Sequence, residues 1–403
     1  MKRLALVGVG FMGRPYLEAA RDLGFGVHVV ETEAWSGEVP DGVEVHRVPD
    51  LGQDGWAVDE LWAVGGYAVA AASPVDGVLA FSEPHVLGAA VVGDRLGLPG
   101  PSLHASTLSR NKALQRACFA ANGLPQPEFH VVAGHDRAVE WARPRLPVVV
   151  KPFSSFGSTG VQLVSGVDEL RAVLAARRTE RLLVEQAVEG PEFSWEGFTR
   201  DGEVLFGNIT AKETTGPPRF VEVAHRAGHR FDDPETERAV RELTEGVVRS
   251  AGVRTGLVHL EFRLTERGPA IMEVAVRTPG DFILDLVAAS YRFDPYRAAV
   301  QLAMGVPPEL PASPEPVSYA AAWFPICAPG TVVDISGLDE VKAHPMVTRA
   351  GLAVSVGDVV APLRSSDQRA GFVLVDAPSP EDREQTLKTV RELLRVTTAP
   401  ADA

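Results

Sequence analysis

Cysteine is almost missing from this chain. Cys118 and Cys327 are the only two in 403 residues, too few for a disulfide framework and without metal-ligand spacing, which fits a reducing cytoplasm. Cys118 falls in a helical pattern and reads as core. Long apolar runs are missing too: no stretch reaches the ~20 residues needed to cross a bilayer, and the richest, Ala63 to Phe81, is broken by Pro74 and Asp76. The start, Met1-Lys2-Arg3 followed by Leu4 to Val9, superficially resembles a signal peptide. Its apolar run is short, however, and Arg14 interrupts it with no cleavage site beyond, so it reads as a buried strand. Basic tracts interleaved with aromatics are also lacking, and a net charge of −14 repels a phosphate backbone. Neither nucleic acid nor a membrane is an expected partner; small molecules handled in the cytoplasm are.

What is present belongs to an ordinary globular protein, 45% hydrophobic and 23% charged, with 38 Gly and 31 Pro for many short loops. The length exceeds what one core organises, so two to four units are expected. Leu4 to Val9 reads as a strand, Gly8 to Gly13 as a tight turn, Pro15 to Leu23 as a helix and Val27 to Glu31 as a second strand. Residues 1–105 therefore read as a parallel α/β unit. Residues 106–186 form a smaller unit: a helix at Arg110 to Asn122, strands at Pro147 to Lys151, Val161 to Val164 and Leu182 to Glu185, and a helix at Val167 to Ala176. Residues 187–312 read as an antiparallel sheet with a long helix at Pro234 to Ala251. A proline-rich linker within Val306 to Pro316 then leads to a β-rich piece, 313–403, that ends in a helix.

Gly8, Gly10 and Gly13 match the dinucleotide fingerprint, with Glu31 at the end of the second strand where a ribose-binding acid would sit. The match alone would suggest NAD. Any parallel α/β unit also needs a tight first turn, so the motif is discounted in favour of the residues that follow.

Lysine is scarce, six against 33 arginines, so lysines inside motifs carry information. Lys112 opens a helix, Lys151 ends an apolar strand before Pro152, and Lys212 ends a strand before Glu213-Thr-Thr-Gly216. A compact ammonium beside glycines suits a phosphate oxygen better than arginine's broad fork. After Lys151 runs a small-residue loop containing Ser154, Ser155, Gly157, Ser158 and Gly160, whose amides and hydroxyls can cradle a triphosphate. It is not a Walker loop, because no Gly-Lys-Ser/Thr occurs. Glu185 and Gln186 end a strand, and Glu192 follows after a crossing segment; such a hinge can serve an adenine and a ribose. Glu261 and Glu273 lie in two strands joined by a turn, which would bring two carboxylates together across the ladder. Adjacent buried acids repel unless a cation lies between them. Hard oxygen donors imply Mg²⁺, with Mn²⁺ as a substitute. Arg277, four residues on, can meet a phosphoryl group.

This order of helix lysine, strand lysine, small-residue loop, Glu hinge, then Glu, Glu and Arg resembles the ATP-grasp superfamily over essentially the whole chain. Phe220 to His225, Glu273 to Asp281, and the segments beginning Gly330-Thr-Val and Gly357-Asp-Val resemble the carboxylate–amine ligases that join L-amino acids into dipeptides. The resemblance implies an ATP-grasp fold of the α/β class: a Rossmann-like front domain that does not bind NAD, a small α+β lid and a larger α+β domain. It implies further that Lys112 and Lys151 bind phosphates, that Glu185 and the Val188 backbone hold adenine, and that Glu192 holds ribose. Glu261 and Glu273 would bind Mg²⁺, Arg277 would steady an acyl phosphate, and Glu222 and His225 would face the amino-acid substrates. Apart from the resemblance, Trp195 and Trp323 are candidates for the substrate pocket, although each aromatic is more often core. ATP is the expected cosubstrate and a homodimer the expected assembly. One departure stands out: the family usually has Asn two residues after the second metal-binding Glu, and this chain has Ala275. Three other readings stay open at this stage: an ATP-grasp ligase or carboxylase acting on a nucleotide precursor or other non-peptidic acid, a nicotinamide-dependent oxidoreductase, and a nucleotide-binding regulator without turnover.

Overall fold

The computed structural model describes residues 1–10, 12–50, 59–155, 157 and 159–400. Among the described residues, four sheets carry the chain. The first is parallel, built from Arg3–Val7 at its centre with Gly26–Thr32 and Gly77–Ala80 on either side and Glu44–Val48 at one edge. Its central strand is buried on both faces, which explains the unbroken apolar run there. The segment Ala63 to Phe81 divides between a helix, Asp59–Ala72, and the strand Gly77–Ala80, separated at the Pro74 and Asp76 that interrupt its hydrophobicity.

The glycine turn after the first strand already has an occupant. Glu31, only 1% exposed, accepts backbone hydrogen bonds from Val9 (2.5 Å), Gly10 (3.1 Å) and Thr32 (2.7 Å). The acid expected to serve a ribose thus fills the turn whose amides would otherwise cradle a pyrophosphate. Gly8, at φ +79°, faces the His85 ring so closely that a Cβ would enter it. Both observations match a turn built for packing, as a fold-only reading of the three glycines implies.

The second sheet is a small antiparallel unit, ordered Phe129–Val131, Leu182–Gln186, Val148–Pro152, Gln162–Val164. The last two form a hairpin, with Val148 opposite Val164, and the loop of small residues lies at its tip. The third sheet has eight strands and runs from Gly268–Ala275 and Gly256–Thr265 through Glu192–Arg200, Glu203–Thr214 and Glu222–Arg226. It continues into Tyr319–Trp323, Gly371–Ala377 and Val347–Leu352. The segment after the proline-rich linker therefore adds three strands to the sheet before it and keeps a separate three-stranded sheet of its own.

The helix Pro234–Ser250 lays Val240, Leu243, Val247 and Val248 against Phe193, Leu260, Phe262 and Ile271 of the large sheet. Phe119, from the helix Lys112–Ala121, enters the same core. That helix starts at Asn111, whose side chain accepts from the amides of Ala113 and Leu114. Capped at one end and anchored by Phe119 near the other, it presents Lys112 and Arg116, four residues apart, on one face. No helix among the described residues is long and apolar enough to cross a membrane.

Phe119→Ala is expected to cost about 3–5 kcal/mol in urea unfolding. Glu31→Ala, which strands three amides, is expected to cost about 1–3 kcal/mol in the same measurement.

Candidate functional site

A cleft of about 160 Å³ opens where the small antiparallel unit meets the large sheet. Its walls receive Lys112, Lys151, Ser155 and Gly157 from one side, and Glu185, Gln186, Val188 and Glu192 from the crossing segment. Glu222, Glu261 and Glu273 come from the large sheet, and Arg277 from the segment just beyond its strand Gly268–Ala275. Residues from Lys112 to Arg277, far apart in sequence, thus share one space.

The two acids of the sheet floor stand directly opposite each other: Glu261 pairs with Glu273 across the antiparallel ladder. Each is partly open to the cleft, with side chains 24% and 25% exposed, and each is neutralised by a lysine from a different element. The Lys112 ammonium lies 2.9 Å from Glu273 and donates to the Ser155 carbonyl at 2.6 Å, tying the loop to the floor. The Lys212 ammonium lies 2.5 Å from Glu261, 3.2 Å from Glu222 and 3.3 Å from Glu192. Burial alone would lower the pKa of Lys212, yet these three carboxylates outweigh it and hold the ammonium well above the usual lysine range. Glu192, Glu222 and Glu261 bring ligand atoms within 4.8 Å of one another, but the lysine ammonium sits where those three would hold an ion.

On the opposite wall Lys151 reaches Glu185 at 2.7 Å, and Arg116 grips the same carboxylate with Nε at 2.7 Å and a second nitrogen at 3.3 Å. Arg116 also donates to the Met272 carbonyl at 2.6 Å, joining this wall to the floor. Burial would raise Glu185's pKa, but the Arg116 and Lys151 charges keep it below the normal range. Burial pushes the Lys151 ammonium down to about 8, against the opposing pull of Glu185. Arg263 fixes the crossing segment, donating to Glu192 at 2.9 Å and to the Val188 carbonyl at 2.8 Å.

Arg277 is held rigidly, its Nε 2.9 Å from Glu83 and another nitrogen 2.7 Å from the Thr278 carbonyl. Glu83 would be raised by burial, but Arg277 and Arg110 bring its pKa below normal. The front domain thereby supplies the acid that orients Arg277.

Other expected residues lie elsewhere. Ser154 is exposed, the Gly160 carbonyl accepts from Arg177 at 2.7 Å, and Ser158 lies outside the described residues. His225 is 1% exposed, 3.1 Å from Asp281 and edge-on to Phe324, so it braces the wall behind Glu222 and does not face the cleft. Asp281, whose pKa burial would raise, is kept well below normal by His225 and Arg369. Ser366 donates to Glu222 at 2.8 Å. Trp195 packs in the core beneath the large sheet and Trp323 under Arg391.

Sequence reasoning passed over Arg116, Arg263, Glu83 and Arg369. Arg116 had a signal in its four-residue spacing from Lys112, and Arg263 in its two-residue spacing from Glu261. The others are joined to the site only by tertiary packing.

Comparison with known proteins agrees with this arrangement. Residues 17–100 match the ATP-grasp N-terminal domain, 144–285 the ATP-grasp domain and 322–399 the L-amino acid ligase C-terminal domain 2. An uncharacterized protein of Sinorhizobium fredii is 29% identical over 96% of this chain and 81% of its own. The L-arginine-specific L-amino acid ligase of Bacillus subtilis is 22% identical over 73% of each chain. The crystal structure of an L-amino acid ligase from Bacillus licheniformis superposes with a TM-score of 0.80 at 26% identity, covering 99% of both chains. With a lysine-lined cleft between a small lid and a broad sheet, and with those domains in that order, the chain belongs to the ATP-grasp carboxylate–amine ligases, the family of the L-amino acid ligases.

Proposed function

We propose that the protein joins the carboxylate of one amino acid to the amine of a second, through an acyl phosphate made at the expense of ATP. The observation that carries this reading is the convergence of Lys112, Lys151, Glu261, Glu273 and Arg277 on one cleft. Lys112 and Lys151 would neutralise the phosphates, the loop through Ser155 and Gly157 would fold over them, and Glu185, Gln186 and Val188 would border the adenine. Glu192, held by Arg263, is supported as the ribose partner by its place at the mouth of the crossing segment.

Glu261 and Glu273 offer hard oxygen donors face to face, a donor set that fits Mg²⁺ and tolerates Mn²⁺. When bound, the cation would neutralise charge on the transferring phosphate.

The substrate carboxylate oxygen attacks the γ-phosphorus, the bond to the bridging oxygen breaks, and ADP leaves. The amine then attacks the acyl carbon, and the carbon–oxygen bond to phosphate breaks as the amide forms and the amine gives up its proton. Arg277, aimed by Glu83, would stabilise the developing oxyanion. Water must be excluded meanwhile, because hydrolysis of the acyl phosphate spends ATP without product. The hydrogen bond from Lys112 to the Ser155 carbonyl holds the loop against the floor for that purpose.

Incubating the protein with ATP, Mg²⁺ and a panel of amino-acid pairs, then following ADP and weighing products by mass spectrometry, is expected to show amine-dependent ADP release and a product of summed mass less one water. ADP release in no pair would sink the reading. Lys151→Ala and Glu273→Ala are each expected to lower turnover by about two to three orders of magnitude with an unchanged circular dichroism spectrum. With Lys151 near 8, its charge is full below that pH and lost above it. The kcat/KM for ATP is therefore expected to drop about tenfold per pH unit beyond 8. In Lys151→Arg, whatever turnover remains should lack this alkaline limb.

A further inference from the structure

His259 belongs to the same square of side chains as the two acids of the cleft floor. It precedes Glu261 by two residues, so it shares that face of the strand. Its partner across the ladder is Ala275, as Glu273 is the partner of Glu261. All four residues line the cleft. Ala275 is too short to reach into it, which leaves one corner of the square to the imidazole.

The ring is held from behind. Its Nδ1 lies 3.1 Å from Oε1 of Glu196, a residue with no exposed surface. The same oxygen of Glu196 accepts from Ser194 at 2.6 Å, and the other accepts from Asn208 at 2.6 Å and Thr210 at 2.8 Å. A carboxylate so fully served by donors accepts a proton-bearing Nδ1 as well, which turns Nε2 toward the cleft, 3.4 Å from Glu261 Oε1. A buried acid behind one ring nitrogen and an open second nitrogen beside a further carboxylate is how proteins orient a metal-binding histidine.

We propose that Nε2 of His259 is a third protein ligand, with Glu261 and Glu273, to the divalent cation of this cleft, and that Glu196 is the positioning residue that aims it. The inference rests on the nucleotide reading of the cleft. The cation takes the place of the Lys212 ammonium, which otherwise lies 2.5 Å from the same Glu261 Oε1. One imidazole among oxygens moves a site's preference from Mg²⁺ toward Mn²⁺.

Electron spin echo spectroscopy of the full chain with Mn²⁺ and ADP tests this without relying on turnover. The wild type is expected to show modulation from a directly bound nitrogen, and growth on ¹⁵N-histidine should shift it, which separates the protein ligand from adenine. In His259→Gln the histidine signal should vanish and the ratio of Mn²⁺ to Mg²⁺ affinity should fall about tenfold. Adding Ala275→Asn to that variant should restore cation affinity through an amide oxygen at the facing corner, a rescue that a merely structural histidine would not permit. Mn²⁺ bound with ADP but without histidine nitrogen in the wild type would overturn the proposal and leave the nucleotide site standing. No Mn²⁺-dependent ADP binding at all would overturn both.

Discussion

Two carboxylates facing each other across one antiparallel rung are the constraint on which this cleft is organised. Glu261 and Glu273 are opposite partners, and unscreened they would repel strongly in a half-buried setting. The fold answers with cations drawn from separate elements: Lys212 from the strand Glu203–Thr214, two strands over from that of Glu261, and Lys112 from a helix that precedes the sheet in sequence. Because each lysine is committed to an acid, the elements carrying them are locked to the floor. The same logic recurs on the far wall, where Lys151 and Arg116 share Glu185. Breaking any one pair would leave an uncompensated charge in a poorly solvated place, so the pairs hold the geometry even where their net contribution to stability is small.

This alternating lattice of charge also suits a substrate that brings its own anions. On the proposed reading, phosphates entering between Lys112 and Lys151 would meet ammonium groups already desolvated and positioned, so little reorganisation would be needed when charge moves during transfer. The lowered pKa of Lys151 is the cost of that placement, since the burial that strengthens its field also weakens its hold on the proton. Arg277 extends the scheme to the front domain through Glu83, which gives that domain a role in aligning the site. Its glycine turn is closed from within by Glu31.

Much of this was legible in the sequence, for identifiable reasons. Lys112, Lys151, Glu261 and Glu273 sit at element ends or on strand faces, where spacing alone fixes their direction, and the rarity of lysine made two of them conspicuous. The parallel front sheet announced itself through the unbroken run Leu4 to Val9. Less legible was whatever depends on contacts between distant elements. The burial of His225 against Asp281 and Phe324 cannot be read from the alternation of its strand, which shows two faces but not which one meets the cleft. The joining of Tyr319–Trp323 and Gly371–Ala377 to the large sheet leaves no local trace either, because the proline-rich linker before them reads as a domain boundary.

The account reduces to one claim about place: the triphosphate lies between the lysines of the lid and the paired acids of the sheet. A crystal structure with Mg²⁺ and a non-hydrolysable ATP analogue measures it directly. Phosphate density is expected between Lys112, Lys151 and Glu273, with the loop through Ser155 and Gly157 above it. Phosphates bound instead at the glycine turn of the front domain, with the lysine-lined cleft untouched, would contradict it.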